Sequence, residues 1–305
     1  MIKPGIKVGP QDWLNRFEQT QATYCEVWYN ATQPNRYREV FEYLTAKQIH
    51  TGIHFWGTID DIWEPNVAYP GPTLEKTLNM IKATIDVASQ HQFHYVNIHC
   101  GNTKLIRIDL NKQIFLPDKN SQKLLPTTAE IIQKQSLIEL NSYATSKDIM
   151  LLVETIPAKT PTTGGKVTSQ HSLPVASLIR RAINDHILIT NDFCHTFSDE
   201  FDKPLNDLWQ SLWKKTLALA PYTKLLHINS VIPPYNGADS HHGITDQDLN
   251  IPGAFPTREK LTELLQLFFH RDDVWAIGEP SQHHADNYFA LKKLLPPASR
   301  QGGPG

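Results

Sequence analysis

Short apolar runs recur along this chain, separated by longer stretches in which apolar positions return every three or four residues. The runs fall at Ile6–Gly9, Tyr24–Tyr29, Ile49–His54, Tyr95–Cys100, Met150–Thr155, Ile187–Asp192, Leu225–Ser230 and Val274–Glu279. Several, such as MLLVE and ILIT, are nearly uninterrupted, as expected of parallel strands covered by helices. The intervening stretches carry helical periodicity. Thr73–His91 begins TLEKTLNMIKATIDVA and puts Leu74, Leu78, Ile81 and Ile85 on one face. Thr127–Ser146, Leu173–Asn184, Leu205–Ala220, Thr257–His270 and Asp286–Leu295 repeat the pattern. Pro174 and Pro256 sit near helix starts, where a missing backbone donor is harmless.

Eight strands alternating with about eight helices predict an α/β fold, a closed (β/α)8 TIM barrel. An open doubly wound sheet would gather its polar residues at one switch point, whereas here they follow six different strands. The barrel is read as one domain over residues 1–296, with no internal repeat and no linker. Residues 102–126 (NTKLIRIDLNKQIFLPDKNSQKLLP) form an insertion after the fourth strand. Alternation of Leu105, Ile106, Ile108 and Leu110 with charged residues predicts a β-hairpin turning near Asn111, a lid or substrate-contacting arm at the mouth. Its charges, Lys104, Arg107, Lys112, Lys119 and Lys123 against Asp109 and Asp118, equally suit a solvated ribbon.

Composition narrows the class. In 305 residues, 40% hydrophobic and 20% charged content fits a soluble globular enzyme. A formal charge of −2 provides no global cationic field for nucleic acid, although a local basic groove remains compatible with it. Cys25, Cys100 and Cys194 are too scattered for a disulfide framework and read as buried free thiols. No apolar run is long enough for a membrane span, and the N-terminus lacks a signal-peptide core, so a cytoplasmic location is expected. No protein partner is evident. The Pro/Gly-rich residues 297–305 are expected to be a flexible tail.

The 14 histidines need an account. His54, His99, Glu154, Asp192, His195, His227, Asp239, His241 and Glu279 all follow the carboxyl ends of predicted strands, where a TIM barrel builds its active site. Carboxylates placed there are costly to keep ionised without a cation, and imidazole with carboxylate is a donor set for zinc, or for manganese. Nine ligands exceed the needs of one ion and suit two or three. His50, His91, His94, His171, His186 and His270 are expected on solvated helix or loop positions, and His242 beside the site or at the surface.

The order H, H, E, D-x-x-H, H, D-x-H, E resembles the endonuclease IV branch of the xylose isomerase-like TIM barrel superfamily (AP endonuclease family 2), from His54 to Glu279. The resemblance implies three zinc ions. His54, His99 and Glu154 would hold the first. Glu154, Asp192, His227 and Glu279 would hold the second, with Glu154 bridging, and His195, Asp239 and His241 the third. It also implies a hydrolase of DNA repair that cleaves a phosphodiester at an abasic site with metal-activated hydroxide, Glu154 and Glu279 being catalytic. Trp56 and Trp63 would fill the gap of the missing base, and Arg36, with Arg38, would contact phosphate. The chain departs from the branch after Glu154 (ETIPAKTPTTGG), after His227 (INSVIPPYNG) and after His241 (HGITDQD), in loops that would touch DNA.

The alternative within the superfamily is a sugar or sugar phosphate isomerase or epimerase. It would use one divalent ion on Glu154, Asp192, His227 and Glu279, with the two glutamates as acid and base. Glu26 and the His283–His284 pair would then serve a polyol. The altered loops favour that alternative; the additional set of His195, Asp239 and His241 opposes it. A barrel that binds metal or a partner without turnover is a third, non-catalytic reading.

Overall fold

Alternation within the strands divides the interior of this protein into an apolar floor and a polar upper layer. The computed structural model describes residues 1–63, 65–109, 114–159 and 171–296. Eight parallel strands close into a barrel: β1 (Lys3–Val8), β2 (Tyr24–Asn30), β3 (His50–Trp56), β4 (Tyr95–His99), β5 (Met150–Glu154), β6 (Leu188–Asp192), β7 (Thr223–Ile228) and β8 (Trp275–Gly278). Each pairs with its sequence neighbours, and β8 closes on β1 through Lys3↔Trp275 to Ile6↔Gly278. The expected fold is therefore the observed one.

Helices Trp13–Thr20, Arg38–Ala46, Pro72–Gln90, Pro126–Ser146, Val175–Asp185, Leu205–Leu219, Arg258–Gln266 and His284–Leu294 follow the successive strands and cover the barrel. Outward strand residues such as Val27, Ile53, Val96, Val153 and Ile189 pack under them, fully buried. Each such side chain contributes about 1.5–3 kcal/mol relative to exposure.

Inward residues in the lower half, Tyr95, Leu152, Leu225, Trp275 and Ile277, form a separate apolar plug with Tyr24, Met150 and Leu188 beside it. Side chains alternate across a strand, so the residue two positions beyond each plug residue also points inward, one layer higher. In this way Tyr24 leads to Glu26, Tyr95 to Asn97, Leu152 to Glu154, Leu225 to His227 and Ile277 to Glu279. The hydrophobic plug thus sets the height at which the polar layer begins.

The insertion after β4 is more than a lone hairpin. Ile106–Asp109 and Ile114–Pro117 pair antiparallel, and Ile62–Trp63 adds to Ile106–Arg107 while pairing in turn with Thr58–Ile59. The result is a four-stranded sheet beside the mouth. Arg107 Nε is committed to Asp118 Oδ1 at 2.7 Å within this ribbon. The expected turn near Asn111 and the tail at 297–305 lie outside the described residues. Among the described residues no helix is long and apolar enough to cross a membrane.

Candidate metal centre

All nine expected ligands converge on one side of the polar layer. His227 lies at its centre, fully buried. Its Nδ1 is 3.0 Å from Glu154 Oε1, 3.1 Å from Glu279 Oε2 and 3.8 Å from Asp192 Oδ2. His54 Nε2 and His99 Nε2 approach Glu154 Oε2 at 3.5 and 4.0 Å. His195 Nε2 and His241 Nε2 are 3.0 Å apart, and Asp239 Oδ1 reaches them at 3.4 and 3.2 Å.

Donor atoms within 4.8 Å of one another fall into four groups: Glu154, Asp192, His227 and Glu279; His54, His99 and Glu154; Asp192, His195 and His241; and Glu26, His54, His227 and Glu279. Two departures from expectation follow. Asp192, buried, takes part in the group with His195 and His241, while Asp239 is a rim residue whose side chain is 46% exposed. Glu26 belongs to the centre itself, whereas the sequence offered it as a polyol contact.

Local backbone structure aims these groups. Asp192 ends β6 and its Oδ1 accepts from the backbone N–H of Cys194 and His195 at 2.7 and 3.0 Å, capping the short helix Phe193–Thr196. That turn brings His195 round so that its Nδ1–H donates to Thr155 O at 2.8 Å, leaving Nε2 to face Asp239 and His241. Asn229 donates to Asp192 Oδ2 at 3.2 Å and accepts from the Glu279 backbone at 2.7 Å, tying β6, β7 and β8 together. Asn97 donates to Glu154 Oε2 at 2.5 Å.

The electrostatics are those of a site that attracts cations. Burial pushes the Glu154 carboxyl up, but His227, His54 and His99 outweigh it and hold it well below the usual carboxylate range. Glu26 is likewise held low, with Lys7 and His227 overcoming burial. Burial depresses His195 and His227, yet Asp192 with Asp239, and Glu154 with Glu26, raise them to about 10 and about 9. His54, under burial and the Lys7 charge, falls to about 4. Protons drawn onto buried imidazoles answer the same negative field that a divalent ion would. Glu26 Oε1, also buried, has no hydrogen-bond partner among the described residues. The residues present therefore fit a metal ion by donor chemistry and by charge.

Lys7 is the residue that sequence reading missed altogether. It lies in β1, in register with Glu26, and only 6% of it is exposed. Asn97, Asn229 and Trp28 were missed as well. Each stands two residues from a recognised or inward-facing position (His99, His227 and Glu26), and that spacing was the available signal. Trp28 stacks on Trp56 with ring centroids 5.0 Å apart, and Trp56 meets Trp63 at 5.1 Å, forming an aromatic wall above Glu26 and His54.

Two expected substrate contacts are exposed, with partners near them in the chain. Arg36 is exposed and donates to Gln33 Oε1 at 3.0 Å. His283 is 70% exposed, in a left-handed conformation ahead of the last helix, 3.8 Å from Asp286. His171, expected in solvent, is 5% exposed, because its carbonyl accepts from Thr103 N and Oγ1 at 2.7 and 2.8 Å and pins it under the insertion.

No family profile and no curated protein matches this sequence. Solved structures do. A 3-keto-D-glucoside 4-epimerase from E. coli aligns at 14% identity over 96% of this chain and 99% of its own, with a TM-score of 0.61. A D-tagatose 3-epimerase-like protein aligns at 16% identity over 94% of this chain and 95% of its own, at 0.59. Endonuclease IV from Thermus thermophilus aligns at 15% identity over 95% of this chain and 96% of its own, at 0.56. The shared feature at these identities is the fold, a closed barrel of eight parallel strands covered by helices.

Proposed function

We propose that this chain is a metal-dependent phosphodiester hydrolase resembling endonuclease IV, acting at abasic sites in DNA through a multinuclear centre. One observation carries the reading. Asp192, His195 and His241 form a donor group, with Asp239 Oδ1 at the rim 3.4 and 3.2 Å from the two imidazoles, next to the group of Glu154, Asp192, His227 and Glu279. A one-ion isomerase has use for the latter set alone.

In this reading Glu154, Asp192, His227 and Glu279 would hold one ion, and His195, Asp239 and His241 a second. His54 and His99 complete a further set with Glu154. When bound, divalent ions there, zinc or manganese by donor type, supply Lewis-acid stabilisation of the phosphate and lower the pKa of water.

The chain's own groups do the rest. Glu154 has its two oxygens against different histidines and so fixes the spacing between the sets. Glu279 is the site glutamate nearest solvent, with its side chain 9% exposed, and takes the proton of the attacking water on Oε2. The water oxygen bonds to phosphorus, the bond to the 3′ oxygen breaks, and that oxygen departs with the proton that Glu279 took from the water. Trp28, Trp56 and Trp63 form the wall on which a base or the abasic gap would rest.

The test is a duplex carrying a tetrahydrofuran abasic analogue, incubated with zinc-loaded protein, with chelated protein and with His241→Ala. Cleavage that needs metal and falls at least about 100-fold in the variant supports the reading. An intact duplex alongside turnover of a ketose would overturn it.

A specific observation favours the second reading, a sugar epimerase. Glu154 Oε1 and Glu279 Oε2 both lie on His227 Nδ1, at 3.0 and 3.1 Å, the paired carboxylates that acid-base chemistry around one ion requires. Epimerases among the structural neighbours add support.

A further inference from the structure

Beneath the donor sets sits a positive charge that belongs to the chain. Glu26, His54, His227 and Glu279 bring four donor atoms within 4.8 Å of one another, a group with the composition of an ion site. The ammonium of Lys7 is already there. Its Nζ is 3.2 Å from Glu26 Oε2, 2.5 Å from His54 Nδ1 and in contact with Glu279 Oε1. It thus meets three of the four members. The fourth, His227, donates its Nε2–H to the same Glu26 oxygen at 2.8 Å.

We propose that Lys7 is a built-in cation that takes the place of a metal ion at the floor of the centre and withdraws His54 from metal binding. This inference rests on the multinuclear reading and fixes how many ions that centre takes. The argument is one of space, charge and hydrogen count. An ion held by these donors would lie about 2.0–2.2 Å from each, in the volume the ammonium fills. Two cations so close in a buried site repel strongly. An ammonium has donors and no acceptor, so Lys7 donates to His54 Nδ1 and the imidazole proton resides on Nε2. That nitrogen faces Glu154 Oε2 at 3.5 Å and carries the only proton of a neutral ring, so an ion takes its place only by leaving an imidazolate or by breaking the bond from Lys7. Both sets that contain His54 are therefore closed. The sets that remain open are Glu154, Asp192, His227 and Glu279, and the set around His195 and His241, so the chain takes two ions where its donors would otherwise admit three.

The backbone supports this placement. Arg16 Nη1 donates to Lys7 O at 2.6 Å and anchors the end of β1. Glu26 stands opposite Lys7 in the strand register. The lysine thus enters the floor from a fixed point.

The experiment counts zinc. Wild type, Lys7→Met and Lys7→Arg are saturated with zinc, desalted, and measured by elemental analysis against protein concentration. Lys7→Met should hold one zinc per chain more than wild type, and Lys7→Arg, which keeps the charge, should match wild type. Equal counts for wild type and Lys7→Met overturn the inference. Should Lys7→Met fail to fold, His54→Ala in the wild-type background decides the matter: an unchanged count supports the inference, and loss of one zinc overturns it. The wild-type count judges the multinuclear reading separately. Two or more support it, whereas one for wild type and two for Lys7→Met would keep the role of Lys7 and transfer the protein to the one-ion isomerase reading.

Discussion

The Nε2–H of His227 donates to Glu26 Oε2 across 2.8 Å, and both side chains are fully buried. This contact decides which nitrogen of His227 is left for an ion. With Nε2 engaged, Nδ1 is the free donor, and Nδ1 is the atom that faces Glu154, Asp192 and Glu279. Partners of this kind around metal-binding imidazoles typically govern about 10–100-fold in affinity. Glu26→Gln should therefore weaken zinc binding by about 10–100-fold while leaving the saturated count unchanged. Competition against a chromophoric chelator reads the affinity, and an unchanged constant would remove Glu26 from this role.

The barrel and the convergence of nine side chains were legible because each expected ligand lies at the end of an apolar run or, for His195, Asp239 and His241, in the loop that follows one, and a closed parallel sheet leaves such positions one place to go. Lys7 was not legible. In GIKVG a single lysine reads as an outward-facing position on the first strand, and its direction follows from its register with Glu26, which needs the paired strand. Glu26 suffered the same way inside YCEVWYN. The strands Thr58–Ile59 and Ile62–Trp63 have two residues each, too few for any periodicity to register, so the insertion read as a lone hairpin. His171 looked solvated because burial there comes from backbone bonds to Thr103, which side-chain patterning does not encode.

Trp28 is 46% exposed yet stacked on Trp56 at 5.0 Å with planes 24° apart, so one of its faces is held and the other is offered to the mouth. Stacking of a base on such a face contributes about 1–3 kcal/mol. Trp28→Ala should weaken binding of an abasic-analogue duplex by a comparable amount, roughly 5–150-fold. The melting midpoint should change little, since a half-exposed ring buries little area to begin with. Binding by fluorescence anisotropy on chelated and on zinc-loaded protein measures the effect, and equal affinities for variant and wild type would exclude Trp28 as a platform.

Gly52 stands two residues below His54 and faces the plug. A Cβ built there would lie 2.0 Å from Tyr95 Cζ, inside the ring itself. Tyr95 is 1% exposed and packs edge-on against Trp275 at 5.2 Å, so it has nowhere to retreat. Overpacking of this kind costs about 1–3 kcal/mol. Gly52→Ala should lower the denaturation midpoint accordingly, and adding Tyr95→Leu should restore part of the loss. A double-mutant cycle by urea unfolding separates the pair, and strict additivity would show that the ring is not what the methyl group meets.

His171 links the insertion to acid stability. Burial lowers its pKa to about 4, with the charges of Lys123 and Lys104 acting in the same direction. In the unfolded chain the value returns to about 6.5. Between those two values the unfolded state binds more protons than the folded one, so stability rises with pH across the window. The contribution is complete above about 6.5 and is lost as pH falls towards about 4. At about 1.36 kcal/mol per unit the full span is worth at most about 3.4 kcal/mol, and relaxation around a charged imidazole would reduce it. His171→Asn removes the titrating group without adding a charge. The variant's unfolding free energy should fall less than that of wild type between about pH 7 and about pH 4.5. The metal-centre histidines titrate in both proteins and cancel in the difference. Parallel pH profiles for the two would show that the His171 imidazole enters the folded and unfolded states with the same proton affinity, and that the segment beneath the insertion opens to water before it acidifies.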